Sequence, residues 1–178
     1  MEPKVVKLKI CLLGEEGVGK TSLIRRFVSG QFDEAYIRTL GAVVSKKSIE
    51  LRDARGSPVH VDMVILDIIG KRTFMQLFKD AYFSGARGIL SVFDLTRKTT
   101  LRDLPPWING VRETVGMIPV VVLANKDDLK ERHEIREDEI AGVLGPLNVT
   151  TMRTSAKTGE NVERAFQDLA KDIVLAEA

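Results

Sequence analysis

Lysines alternate with apolar residues from Val5 to Ile10, and the chain then stays apolar up to Leu13. A period of two running into an unbroken apolar stretch predicts a strand over 5–13, covered on both faces by helices. Beyond a glycine-rich stretch, Leu23, Ile24, Phe27 and Val28 recur at helical spacing, and Gly30 marks the end of that helix. Extended segments at 42–51 and 59–67 flank Arg52-Asp53-Ala54-Arg55-Gly56-Ser57-Pro58, whose turn formers predict an antiparallel hairpin. Strands at 88–95, 118–124 and 149–153 then alternate with a helix ending near 115 and helices at 137–144 and 162–175. Pro105 and Pro106 suit the first turn of the helix that continues through Trp107, Ile108 and Val111, which assigns Trp107 to the core.

This order predicts an α/β fold: a mostly parallel six-stranded sheet, second strand antiparallel, with helices on both faces. No repeat, low-complexity stretch or linker interrupts the 178 residues, so a single domain over 1–178 is expected. Lys plus Arg number 27 against 25 Asp plus Glu, a balance that gives no reason to expect a nucleic-acid partner or an anionic lipid surface. The apolar run at 118–124 is too short to span a bilayer. Cys11 is the only cysteine and sits in the apolar part of the first strand, so it reads as a core residue in a reducing, cytoplasmic compartment. His60 and His133 have no second ligand at metal-binding spacing and read as surface or rim residues.

Chemistry enters at the strand ends. Gly14-Glu15-Glu16-Gly17-Val18-Gly19-Lys20-Thr21 fits G-x-x-x-x-G-K-[ST] between a strand and a helix. In that context glycines permit the turn that aims backbone N–H groups inward, and the helix offers its positive end to phosphate. Lys20 is expected on the β- and γ-phosphates, and the Thr21 hydroxyl on Mg²⁺. Gly14, Glu16, Gly17, Val18, Gly19, Lys20, Thr21 and Ser22 are the candidate phosphate-side residues. This motif alone also serves ATP-using kinases and ATPases.

The base is addressed elsewhere. Asn125-Lys126-Asp127-Asp128 follows the strand at 118–124, at the carboxyl edge where α/β folds bind ligands. A carboxylate accepts from both N1 and the 2-amino group of guanine, whereas adenine leaves it unpaired. Asn125, Lys126 and Asp128 are therefore the candidate guanine readers, with Asp128 setting specificity.

With Thr39, Asp67-Ile68-Ile69-Gly70 and Ser155-Ala156-Lys157 added, the chain resembles the Ras superfamily over residues 5–176. Tyr36-Ile37-Arg38-Thr39-Leu40-Gly41 and Val92-Phe93-Asp94-Leu95-Thr96 look most like Rab proteins. The resemblance implies a P-loop NTPase fold of the Ras-like G-domain type and a GTP/GDP-binding switch with Mg²⁺. It implies that Thr39 caps Mg²⁺ and the γ-phosphate, that Asp67 supports Mg²⁺ through water, and that the Gly70 N–H meets the γ-phosphate. Phe32 and Tyr36 join the nucleotide site. Ser155, Ala156 and Lys157 resemble the loop closing over guanine, with the Ala156 N–H on O6. Effector and regulatory proteins are expected on loops around 33–41 and 68–83, of a monomer or a dimer.

Three positions depart from the family pattern. Lys71 stands where a glutamine orients the attacking water, and a lysine has no carbonyl to accept that water's proton. The catalytic set implied is thus Lys20, Thr39, Gly70 and an atypical Lys71. Glu16 stands where Ras has glycine, a feature in which the chain resembles Arf proteins, and an ion pair with Lys71 is one expectation for it; a solvated Lys71 is the other. Leu66 replaces the tryptophan that Rab proteins carry before the aspartate. Two functions stay open: a slow GTPase switch and a non-hydrolysing GTP-binding scaffold. The final residues 173–178 hold no cysteine, so no lipidated cysteine is expected on this chain, either because the native chain is longer or because it is unlipidated, and peripheral membrane association is expected through partners.

Overall fold

Alternation at the N-terminus becomes β1 (Lys4–Leu13), which sends Leu8, Ile10 and Leu12 to one face of the sheet and Cys11 and Leu13 to the other. The structure, a computed structural model, describes residues 4–33, 42–68 and 72–177. The remaining strands are β2 (Ala42–Arg52), β3 (Pro58–Ile68), β4 (Gly88–Asp94), β5 (Val120–Asn125) and β6 (Thr150–Arg153). Among the described residues they form one six-stranded sheet in the order β2-β3-β1-β4-β5-β6. β2 pairs antiparallel with β3 in unbroken register from Ala42 opposite Ile68 to Arg52 opposite Pro58, and the other pairings are parallel. Asp53 closes the hairpin: its Oδ1 accepts from the backbone N–H groups of Arg55 and Ser57, each at 2.9 Å.

The helices are α1 (Lys20–Ser29), α2 (Arg72–Phe83), α3 (Lys98–Arg102), α4 (Leu104–Val115), α5 (Glu137–Leu144) and α6 (Val162–Ala176). α1 and α6 cover one face, where the rings of Phe27 and Phe166 stack at 4.1 Å between centroids. α2, α4 and α5 cover the other face through Phe83, Trp107, Ile108, Val111, Ile140 and Leu144. Every residue of β4 and β5 is buried, which explains why β5 reads as an apolar run up to Asn125 and why β4 is apolar but for Ser91 and Asp94.

The hairpin, the two-sided core and the core placement of Trp107 follow the sequence expectation. The short α3 does not: a single turn of helix precedes Asp103, and the prolines then occupy the first turn of α4. Short 3-10 turns at Lys130–Arg132 and Gly145–Leu147 are also new, because apolar periodicity carries no signal for a one-turn element. Cys11 is buried, and burial pushes its thiol up to about 12. It is chemically quiet at neutral pH. No helix among the described residues is long and apolar enough to cross a membrane.

On the hairpin His60 lies opposite Glu50, with Nδ1 bonded to Glu50 Oε1 and Nε2 at 3.1 Å from Asp62 Oδ1. The Glu50 hydrogen bond is the main cause that raises the His60 pKa above its ordinary value. A raised folded-state pKa means that protonated His60 stabilises the fold fully below about 6.5 and that this contribution fades as pH rises through the raised value. Glu50→Gln is expected to bring the His60 midpoint, followed by NMR, down toward about 6.5. An unchanged midpoint contradicts the pairing.

Candidate functional site

Five segments meet at the carboxyl edge of the sheet: the loop after β1, Asp67 near the end of β3, Asp94 ending β4, Asn125 ending β5, and the turn after β6. Open parallel sheets bind ligands at this edge because helix N-termini and loop amides converge there.

The loop from β1 to α1 turns on glycines at two places where nothing larger fits. Gly14 has φ of +148°, and a Cβ there falls 2.3 Å from the Val92 carbonyl oxygen. Gly19 has φ of +106°, and a Cβ there falls 2.3 Å from Asn125 Nδ2. Gly19 also precedes α1 without supplying a side-chain cap, a helix start suited to an anion. Lys20 Nζ donates to the carbonyls of Gly14 and Glu15 at 2.8 and 2.9 Å. Burial lowers the Lys20 pKa to about 8, with Asp67, Glu15 and Glu16 acting in the opposite sense. The ammonium has already shed most of its water, so an anion beside it meets little residual desolvation.

Thr21 Oγ1 donates to Asp67 Oδ2, whose carboxylate is buried. A hydroxyl and a carboxylate side by side are hard oxygen donors that fit Mg²⁺, an ion that keeps waters and shares phosphate oxygens. Among the described residues no group of three His, Cys, Asp or Glu side chains is placed to hold a metal ion.

On the base side, Asn125 is buried and spends both ends of its amide on protein: Nδ2 donates to the Val18 carbonyl at 2.9 Å, and Oδ1 accepts from Thr154 Oγ1 at 3.1 Å. It ties the phosphate loop to the segment after β6, a tying role that the sequence reading of it as a guanine reader did not include. Lys126, at φ of +64°, places Nζ 2.8 Å from Asp94 Oδ2. Burial pushes the Asp94 pKa up, and hydrogen bonds from Lys126 and Thr96 more than reverse that, leaving it lowered.

The two neighbouring aspartates part ways. Asp127 is buried and held by Arg153 at 2.7 Å and Lys130 at 2.6 Å. Its lowered pKa results from burial acting upward and those two cations prevailing. Asp128 is half-buried, and its Oδ1 accepts from Ser155 Oγ at 2.7 Å, which fixes the carboxylate's orientation. Arg26 of α1 secures the turn beyond Ser155: Nε donates to the Ala156 carbonyl at 2.8 Å and Nη2 to that of Lys157.

The Ras family profile matches residues 9–175. The chain belongs to the Ras family. It is 35% identical to the GTP-binding nuclear protein GSP1 of Encephalitozoon cuniculi, over 96% of this chain and 78% of that one. It is 30% identical to Ras-related protein Rab-13 of Rattus norvegicus over 94% of this chain and 80% of that one, and 31% identical to Rab-8A of Bos taurus over 93% and 77%.

Several Ras-family positions carry altered or unexpected roles here. The Val18 side chain is wholly buried in the core under α1, leaving the backbone of that residue to line the loop. Ser22 and Phe32 are half-buried, Phe32 packing against the same core. Leu66 is buried among the residues under α2 and α4, so its difference from the Rab tryptophan is felt inside the protein. Tyr36, Thr39, Gly70 and Lys71 lie outside the described residues, and with them the expected Glu16–Lys71 pair. A cleft of about 580 Å³ runs beside the loop, lined among others by Glu15, Glu16, Asp94, Arg97 and Lys126. Arg26 and Arg97 lie outside every sequence motif, and Asp94 and Asp127 lie inside two of them without an assigned role; only the position of Asp94, last in a buried strand, hints at one.

Alanine at Gly19 must adopt a positive φ and push on the Asn125 amide, two costs that together reach roughly 3 kcal/mol. Gly19→Ala is therefore expected to weaken GDP binding on the order of 100-fold in a fluorescence titration, with the circular dichroism spectrum retained. Affinity within threefold of the parent contradicts the geometry.

Proposed function

We propose that this Ras-family chain binds GTP and GDP together with Mg²⁺ and acts as a switch that hydrolyses GTP slowly. The observation that carries the reading is one oriented carboxylate, Asp128 held by Ser155, on the same sheet edge as the buried Lys20. Asp128 accepts from N1 and the 2-amino group of guanine, the Ala156 N–H donates to O6, and Lys126 and Lys157 flank the base with Phe32 on the purine. Adenine offers Asp128 no paired donors, so the same carboxylate rejects it.

Phosphate is cradled by backbone N–H groups from Gly14 to Ser22 and by Lys20. Thr21, Thr39 and, through water, Asp67 are the residues that would hold Mg²⁺, which would supply neutralisation of the phosphate charge. Thr39 and the Gly70 N–H engage the γ-phosphate only in the triphosphate state, with Tyr36 a further nucleotide-site residue, so loss of that phosphate releases the segments around 33–41 and 68–83. Effectors and regulators that bind one arrangement of those segments read the nucleotide. We place the protein in the cytoplasm, reaching membranes through such partners.

Hydrolysis is the step at which Lys71 and Glu16 bear on the reading. Lys71 donates hydrogen bonds and cannot accept a proton from water, while its charge can still stabilise the transition state. Glu16 adds an acid at the γ-phosphate side of the loop. These two residues also favour a second reading, a GTP-bound scaffold that does not turn over.

Identification of the nucleotide that copurifies, followed by single-turnover hydrolysis, separates the two. The switch reading predicts GDP formation at or below the order of 10⁻⁴ s⁻¹, the intrinsic rate of Ras itself. Lys71→Gln is expected to raise that rate by about tenfold or more, since a well-placed proton acceptor contributes on the order of 10²–10⁴. An equal or slower rate in the variant shows that Lys71 is not the impediment, and persistent GTP in the parent favours the scaffold.

A further inference from the structure

Arg97, three residues beyond the end of β4, belongs to no nucleotide motif, yet it reaches into the middle of the phosphate loop. Its Nη2 donates to the Glu16 carbonyl at 2.8 Å, across 81 residues of sequence. Its Nε lies 3.3 Å from Asp94 Oδ2. That same oxygen takes Lys126 Nζ at 2.8 Å, and the other oxygen of Asp94 accepts from the Thr96 backbone N–H at 2.8 Å and hydroxyl at 2.7 Å. Asp94 is 1% exposed, so its charge is held by the protein alone. The result is a continuous path from Lys126 of the base motif, through the buried Asp94 carboxylate and the Arg97 guanidinium, to the Glu16 carbonyl.

The covalent geometry of the peptide gives this path a consequence. A planar trans peptide sends its C=O and N–H in opposite directions. The Glu16 carbonyl and the Gly17 N–H share one peptide, so a donor that fixes the carbonyl also fixes the aim of that N–H, away from Arg97. Lys20 holds the carbonyls of Gly14 and Glu15, and Asn125 holds that of Val18. Arg97 supplies the anchor between them. A guanidinium does this with two donors in a rigid fork, one for the carboxylate and one for the carbonyl, which a lysine cannot reproduce together.

We propose that Arg97 is a positioning residue that holds the phosphate loop in its anion-binding shape, couples it through Asp94 to Lys126, and thereby sets how long the nucleotide stays bound. The inference rests on the nucleotide-binding reading above. Loss of the anchor acts after binding, since the loop then has alternative shapes to relax into. The dissociation rate therefore rises while the association rate changes little.

The test is stopped-flow release of a fluorescent GDP from the parent, Arg97→Ala, Arg97→Lys and Arg132→Ala, with excess GDP and Mg²⁺. Arg132 lines the same cleft but, among the described residues, makes no side-chain hydrogen bond or ion pair with the loop or Asp94, so it controls for the loss of a positive charge. Arg97→Ala is expected to release GDP roughly tenfold faster, the scale of one charge-assisted hydrogen bond, with association within about twofold of the parent. Arg97→Lys falls between, and Arg132→Ala stays near the parent. Unchanged release in Arg97→Ala overturns the proposal. So does equal acceleration in Arg132→Ala, which makes the effect one of overall charge. A parent protein that binds no GDP overturns the underlying reading, and this inference with it.

Discussion

The site depends on one buried amide. Asn125, at the end of β5, donates to the Val18 carbonyl and accepts from the Thr154 hydroxyl, so it joins three segments far apart in sequence: the phosphate loop, the base motif and the turn after β6. A buried amide with both ends satisfied is stable, and one with an end exposed to apolar surroundings is costly, so the three segments are held in one relative position. Gly19 follows from the same constraint, because the Asn125 nitrogen occupies the space its side chain would take. The spacing between the phosphate cradle and the base carboxylate is in this way a property of the protein before any ligand arrives.

Charge is arranged by the same logic. Lys20 is buried against backbone carbonyls, Asp94 lies between Lys126 and Arg97, and Asp127 lies between Lys130 and Arg153. Asp127 and Asp128 are adjacent and carry the same functional group, yet only Asp128 is turned by a neutral hydroxyl rather than neutralised by cations. That difference leaves Asp128 its acceptor capacity while Asp127 is consumed in holding the loop.

The sequence was informative wherever a local pattern carried the physics. Alternation in β1, the largely apolar stretches of β4 and β5, and turn formers between β2 and β3 each announce their element, because burial on one or two faces dictates the period. The phosphate loop was legible for a related reason: glycines at 14 and 19 with Lys20 and Thr21 encode a backbone shape locally. Contacts that arise only on folding were not legible. Arg26 meets the turn at Ala156, Arg97 meets Glu16, and Asn125 acts as a tie, all through pairings of residues 81 or more apart. Asp128 was named from Asn-Lys-Asp-Asp as the guanine reader, but the part its neighbour plays was not legible: Asp127 is held by Arg153 and Lys130, a pairing made only once the strands are assembled.

Family membership, the oriented carboxylate and the buried loop lysine point to one ligand class, and the central claim is that Asp128 reads guanine through two donors. Competition of GDP, inosine diphosphate and ADP for the site measures this most directly, because inosine lacks only the 2-amino group and adenine lacks both donors. Inosine diphosphate is expected to bind about 10- to 100-fold more weakly than GDP, the loss of one partner to a desolvated acceptor, and ADP to fail to compete at any comparable concentration. ADP displacing GDP as well as GDP itself contradicts it.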